Sequence, residues 1–142
     1  MKVNYKKLHV NAVEPTYADN GAVGLDMVAV DRKITDKYVE YDTGIAVEIP
    51  EGYYGDVAPR SSISNYDLVL ANSIGKIDSS FRNSIKFRFK VIDNGSPNIK
   101  MYDVGDRIGQ LIILPYPKIE LEEVDELSET ERGMGGFGST GK

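Results

Sequence analysis

The chain has 142 residues, no cysteine and a formal net charge of −5 at pH 7, from 17 Lys and Arg against 22 Asp and Glu. That length suits one domain able to bury its own core. The lack of cysteine excludes a disulfide framework and thiolate chemistry, the single histidine makes a zinc site improbable, and the acidic balance argues against direct nucleic-acid binding.

The first ten residues, MKVNYKKLHV, lack the apolar core of a signal peptide, and no apolar run has the length to cross a bilayer. A soluble, intracellular protein with no membrane partner is expected. Further along, Gly24 to Val30 is apolar on both faces except for Asp26, as expected of a strand covered on two sides. A carboxylate there needs a partner or a task. Thr43 to Ile49 alternates, with Ile45, Val47 and Ile49 inward, and stops at PEGYYG, where Pro50 and Gly52 mark a turn. Ser61 to Tyr66 suits a short helix capped by a serine. If Asn72 to Ile77 is extended, Asp78 stands at a strand end beside a turn.

Ser84 to Val91 carries the clearest alternation, Ile85, Phe87, Phe89 and Val91 on one face and Ser84, Lys86, Arg88 and Lys90 on the other. Asn94-Gly95 is a hairpin signal. Ile108 to Leu114 reads as an interior strand with Gln110 on the face of Ile108 and Ile112, and Pro115 and Pro117 limit pairing beyond it. Many short strands with Gly/Pro turns predict an all-β sandwich, barrel or jelly roll. The acidic excess is concentrated between Glu120 and Glu131, and from Arg132 the glycine-rich RGMGGFGSTGK cannot form a core by itself.

Four groups of residues carry chemistry. Asn72, Asp78 and Phe81 combine an amide, a carboxylate and a flat apolar face, a trio suited to a planar cyclic ligand; a plain hairpin turn is the alternative. PRSS, Pro59 to Ser62, offers a guanidinium and two hydroxyls to an anion, or merely caps a helix. Asp26 and Gln110 are polar groups inside apolar strands, either satisfied by core hydrogen bonds or, for Asp26, reaching Mg²⁺ through its waters. The tail could wrap phosphates with its amides, Arg132, Ser139 and Thr140 while Phe137 lies over a base, or be a disordered end.

In this order and spacing AVGLDM, PRSS, NSIGKIDSSFR, GDRIGQLI and RGMGGFGSTG resemble the five motifs of the trimeric dUTPase family, from about Leu25 to Gly141. The resemblance implies a distorted jelly-roll β-barrel over residues 1–131, a homotrimer with shared active sites, and a flexible C-terminal lid over residues 132–142. It implies hydrolysis of dUTP to dUMP and pyrophosphate with Mg²⁺, which limits uracil in DNA and supplies dUMP for thymidylate synthesis. Asp78 would be the general base. Asn72, with backbone of Gly75, Lys76, Ile77 and Lys86, would read uracil and deoxyribose, and Phe81 would stack on the sugar. Arg60, Ser61, Ser62 and Gln110 would hold phosphates, and Asp26 would contact metal-bound water. Arg132 would grip the γ-phosphate, Phe137 would cover the uracil, and Gly138 and Ser139 would close on the phosphates.

Two positions depart from the family pattern: Phe81 stands where tyrosine is usual, and Asn83 where glycine is frequent. The related dCTP deaminases place a catalytic glutamate on the strand after this hairpin, and Arg82 to Ile92 contains none. A jelly-roll interaction module that has lost activity is the other alternative, opposed by intact Asp78, Arg132 and Phe137.

Overall fold

Alternation sorts side chains as the pattern requires between Ile85 and Phe89: Ile85, Phe87 and Phe89 are fully buried, and Lys86 and Arg88 face outward. The structure is a computed structural model describing residues 1–141. Its described residues form eleven strands: β1 (Asn4–Lys7), β2 (Thr16–Tyr17), β3 (Leu25–Val28), β4 (Asp31–Ile34), β5 (Val39–Asp42), β6 (Ile45–Glu48), β7 (Tyr53–Ala58), β8 (Leu68–Leu70), β9 (Gly75–Ile77), β10 (Lys86–Val91) and β11 (Arg107–Pro115). A 3-10 segment, Ser61–Asn65, is the sole helical element among them, so no described helix is long and apolar enough to cross a membrane.

All pairings are antiparallel, in sheets ordered β1-β6, β4-β5-β10-β8 and β2-β3-β11-β7-β9. This is the expected all-β, jelly-roll class. The larger sheets bury Met27, Val57, Ile108 and Leu111 from one and Tyr41, Phe87 and Phe89 from the other. Each large apolar side chain so buried is worth about 1.5–3 kcal/mol. Tyr41, Phe89 and Tyr102 meet edge-on or tilted at 5.8–6.0 Å, and the Tyr41 hydroxyl donates to the Tyr102 carbonyl at 2.8 Å, so this aromatic cluster carries a satisfied polar group.

β11 is an interior strand, as its apolar run predicts, and β3 lies between β2 and β11. Ile45, Val47 and Ile49 are buried as expected, and Ala46 is buried with them.

Four local expectations need correction. Val91 is 38% exposed because it pairs with Leu68 near the open end of its sheet. Asn94-Gly95 closes no hairpin, since β10 and β11 belong to different sheets. Its loop is instead pinned to Asp67, which accepts from Asn94 Nδ2 and from the Lys100 amide, each at 2.7 Å. No serine caps the 3-10 segment; Arg60 occupies the cap position without a side-chain hydrogen bond. Only Gly75 to Ile77 of the segment from Asn72 is strand, and Asn72 to Ile74 form a turn in which Ser73 has φ 62°.

Candidate active site

Asp78 follows β9 and is exposed, where the strand leaves its sheet. The Phe81 amide donates to the Asp78 carbonyl at 3.0 Å, closing a turn. On one side of this turn Asp78, Ser79 and Ser80 line a cavity of about 450 Å³ with Tyr54, Lys76 and Tyr116. Tyr54 and Tyr116 meet edge-on at 6.0 Å, and Lys76 lies 4.8 Å above the Tyr54 ring while pairing with Asp56 at 2.5 Å. The Lys76 ammonium is thereby held above its ordinary pKa by its hydrogen bond with Asp56. Its side chain is committed to Asp56.

On the other side, Asn72, Phe81, Asn83, Ser84 and Lys86 line a cavity of about 550 Å³ whose apolar wall includes Val57 and Leu70. The start of β10 lines it, whereas β9 lines the first cavity through Lys76. β9 pairs only with β7, and β10 pairs with β8 only from Phe89 onward, so Gly75 to Ile77 and the start of β10 keep backbone groups free on one side. Free edges of this kind recognise ligands through main-chain hydrogen bonds. Gly75 must be glycine here: a Cβ would lie 2.5 Å from Val57 Cγ2 and 2.9 Å from the Asn72 amide nitrogen. Asn83 does not use a left-handed conformation, and its Oδ1 accepts from the Ser84 amide at 2.7 Å.

Lys86 is ion-paired at 3.3 Å with both Glu40 and Asp42, and Arg88 reaches Glu40 at 2.6 Å. Burial pushes the Glu40 carboxyl up, but the hydrogen bonds and charges of Arg88 and Lys86 outweigh it and hold the group below its ordinary value. Asp42 is likewise lowered against burial by the Ser84 hydroxyl, the Gly44 amide and Lys86.

The residues expected to hold anions gather elsewhere. Asp26 is 4% exposed and pairs with Gln110 across the β3–β11 ladder. Its Oδ1 lies 3.2 Å from Arg60 Nε and accepts from Gln110 Nε2 at 3.2 Å, and its Oδ2 lies 3.2 Å from Arg107 Nη1. Gly24 clears the way, since a Cβ on it would lie 2.9 Å from that of Gln110. Two guanidiniums around one carboxylate leave a net positive charge beside Ser61 and Ser62. Arg107 went unassigned at the sequence level. It is three residues from Gln110, which alternation would place on the opposite face, but the β11 register shifts between Arg107 and Gly109 and turns it back.

Neither cavity at the Asp78 turn is lined by Asp26, Arg60, Arg107 or Gln110. Ile77 pairs with Gly55 near the start of β7, whereas Arg60 follows the last β7 residue, Ala58. Six residues of extended chain separate the position opposite Asp78 from Arg60, roughly 20 Å at about 3.3 Å per residue. Nor does the tail reach either group: Arg132 Nε donates to the Gly135 carbonyl at 2.9 Å, Ser139 and Gly141 close local turns, and Phe137 is fully exposed with φ 48°.

The family model for dUTPase matches residues 11–141. The chain belongs to the dUTPase family. The deoxyuridine 5'-triphosphate nucleotidohydrolase of Hydrogenobaculum sp. is 41% identical over 145 residues, covering 99% of each chain. That of Escherichia phage T5 is 44% identical over 106 residues, 74% of this chain and 70% of the phage protein. Among solved structures, the dUTPase of Staphylococcus bacteriophage 80alpha with dUPNHPP superposes with a TM-score of 0.85 at 29% identity over 99% of each chain. A dUTPase of phage phi11 of S. aureus, described as coordinating a structural Mg(II) ion, superposes at 0.73 with 26% identity, covering 89% of this chain and 98% of that one.

Family membership makes Mg²⁺ the metal to test against these residues. Among the described residues no three His, Cys, Asp or Glu side chains converge on a common point. Asp26 already receives three donors and, with about four lone-pair sites, has room for a single water. This donor set fits a Mg²⁺ that arrives on a triphosphate and keeps its waters, and offers no protein cage for a resident ion.

Proposed function

We propose that the protein hydrolyses dUTP, taken as its Mg²⁺ complex, to dUMP and pyrophosphate. The observation that carries this reading is the placement of Asp78: an exposed carboxylate at the end of an edge strand, on a turn whose far side borders a cavity lined by the start of β10, in a chain that the family matches from residue 11 to 141. Uracil enters between the edges of β9 and β10, where amides and the Asn72 side chain match its donors and acceptors. A base with the wrong order would leave buried groups unpaired, which disfavours cytosine strongly. The wall of Val57 and Leu70 and the close packing of Asn72 on Gly75 leave little room for the thymine methyl. Phe81 lies flat against the deoxyribose and crowds the position of a 2′-hydroxyl.

In the chemical step a water held by Asp78 attacks the α-phosphorus, its proton passes to the carboxylate, and the bond from the α-phosphorus to the bridging oxygen breaks to release pyrophosphate. Mg²⁺ brought in on the triphosphate would supply charge neutralisation and polarisation there. Arg60, Ser61, Ser62 and Gln110 hold the phosphates, and positioning supplies much of the rate. Asp26 serves chiefly to aim Arg60, Arg107 and Gln110, with one water-mediated contact to the metal.

Asp78 and the arginine cluster line no common cavity of those described, and their backbones lie roughly 20 Å apart along β7, at about 3.3 Å per residue. We therefore infer that the working enzyme is a homotrimer in which one subunit brings Asp78 and another the arginine cluster. Residues 132–142 of a neighbouring copy then close as a lid, with Arg132 on the γ-phosphate, Phe137 over the uracil and Gly138 and Ser139 on the phosphates. The cysteine-free chain suits a reducing intracellular compartment, cytoplasm or nucleus. Pyrophosphate release from dUTP, dCTP and dTTP tests the whole reading: turnover confined to dUTP and lost in Asp78→Asn is expected. Release of ammonia from dCTP, or full turnover by Asp78→Asn, would reject it.

A further inference from the structure

The turn that joins Asp78 to Phe81 is gripped from outside by Arg82. One guanidinium nitrogen, Nη1, donates to the Ser79 carbonyl at 2.5 Å and to the Phe81 carbonyl at 3.0 Å. The other, Nη2, lies 3.7 Å from Oε1 of Glu48 at the end of β6. Glu48 is itself held: its Oε2 accepts from Asn4 Nδ2 at 2.8 Å, and the two residues are partners in the β1–β6 ladder. A series of contacts thus runs from a separate two-stranded sheet, through Asn4, Glu48 and Arg82, into the backbone carrying Asp78 and Phe81.

We propose that Arg82 is the positioning residue of the reaction, fixing the Asp78 carboxylate and the Phe81 ring in one relative geometry. This rests on the reading of Asp78 as the base and Phe81 as the sugar gate. Two observations separate positioning from substrate contact. Arg82 lines a third cavity with Asn4, Tyr5, Lys6, Val47 and Glu48, and neither of the two that hold Asp78 and Phe81. The turn has one backbone bond of its own, from the Phe81 amide to the Asp78 carbonyl, and its ends are exposed, so the order of its middle depends on the guanidinium. A planar fork with fixed donor directions can satisfy two carbonyls and a carboxylate together, which the single ammonium of lysine does not reproduce. Displacing a reacting group by an ångström costs on the order of a hundredfold in rate, whereas binding elsewhere on the substrate is little affected.

Steady-state kinetics of Arg82→Lys, Arg82→Ala and Glu48→Gln with dUTP and UTP test this, alongside thermal unfolding of each variant. Arg82→Lys and Arg82→Ala are expected to lose about ten- to a hundredfold in kcat with KM for dUTP changed less than about threefold. Discrimination against UTP should fall with kcat, free guanidinium should restore part of the Arg82→Ala loss, and Glu48→Gln should show a smaller loss in the same direction. Folded Arg82 variants with parental kcat and parental discrimination would overturn the proposal. So would a lowered unfolding temperature with unchanged kcat per folded molecule, which marks a merely structural arginine. Asp78→Asn is the control: if it turns over normally the underlying reading fails, and if it is silent while the Arg82 variants are normal, only the role of Arg82 fails.

Discussion

Arg107 and Asp26 meet across the β3–β11 ladder at 3.2 Å, although alternation from Gln110 would put the guanidinium on the opposite face of the sheet. Asp26 still has Arg60 and Gln110 when Arg107 is removed, and the Arg107 side chain is 54% exposed, so the fold should tolerate its loss. Arg107→Met is expected to raise KM for dUTP by about tenfold, equivalent to about 1.4 kcal/mol, with a stability change near or below 1 kcal/mol. Asp26→Asn removes the carboxylate that both guanidiniums share and should cost about 3 kcal/mol of stability. Kinetics and urea unfolding on the two variants check both statements, and equal behaviour of the two would contradict them.

Phe81 keeps the ring face of the family's usual tyrosine and borders the cavity that also holds Asn72 and Lys86. Phe81→Tyr is expected to keep the preference for dUTP over UTP within about threefold, because the excluded volume is retained. Phe81→Ala should erode that preference by about tenfold or more. Competition assays with both nucleotides measure it, and an unchanged ratio in Phe81→Ala would remove the ring from the sugar gate.

Deleting residues 132–142 removes no buried side chain among those described, for Met134 and Phe137 are fully exposed. The truncated protein should unfold at the parent temperature and sediment as the same oligomer, yet lose about a hundredfold or more in turnover. Normal turnover after truncation would dismiss the lid.

The Glu40–Asp42–Lys86 cluster makes stability depend on pH in a defined sense. Glu40 and Asp42 have folded pKa values below their ordinary ones, so their contribution is complete only above the ordinary carboxylate range, about 3.9–4.3, and is lost as pH falls through the folded values. Burial pulls Lys86 down, but hydrogen bonds with Asp42 and Glu40 outweigh it and raise its pKa, so its contribution persists below about pH 10.4 and is lost as pH rises through the folded value. Glu40→Gln is expected to lower stability by on the order of 1–2 kcal/mol at pH 7 and to flatten the acid limb of a melting-temperature profile. A profile parallel to the parent's would contradict this.

Much of the fold was legible because burial on one face imposes a period of two, as in Ile85, Phe87 and Phe89, and because Gly and Pro mark the chain reversals. What escaped was non-local. The bulge that redirects Arg107 arises where Gly109 must lie flat: a Cβ there would overlap the Phe87 ring and lie 2.9 Å from the Ala58 carbonyl oxygen, and neither neighbour is close in sequence. Asn94-Gly95 has hairpin chemistry, but Asp67 captures its loop and the following strand joins another sheet. Asn72, Asp78 and Phe81 looked like one cluster and are divided by the turn between them, the carboxylate facing one cavity and the amide and ring another.

The span of β7 has a genetic consequence. If one copy supplies Asp78 and its neighbour supplies Arg60, a variant lacking the first and a variant lacking the second are each silent alone, but the defects fall on different partners of the same site. Co-refolding Asp78→Asn with Arg60→Ala should therefore restore a share of the parent turnover, as intact halves come together in mixed assemblies. Two dead proteins that remain dead when mixed would place both groups at a site within one subunit.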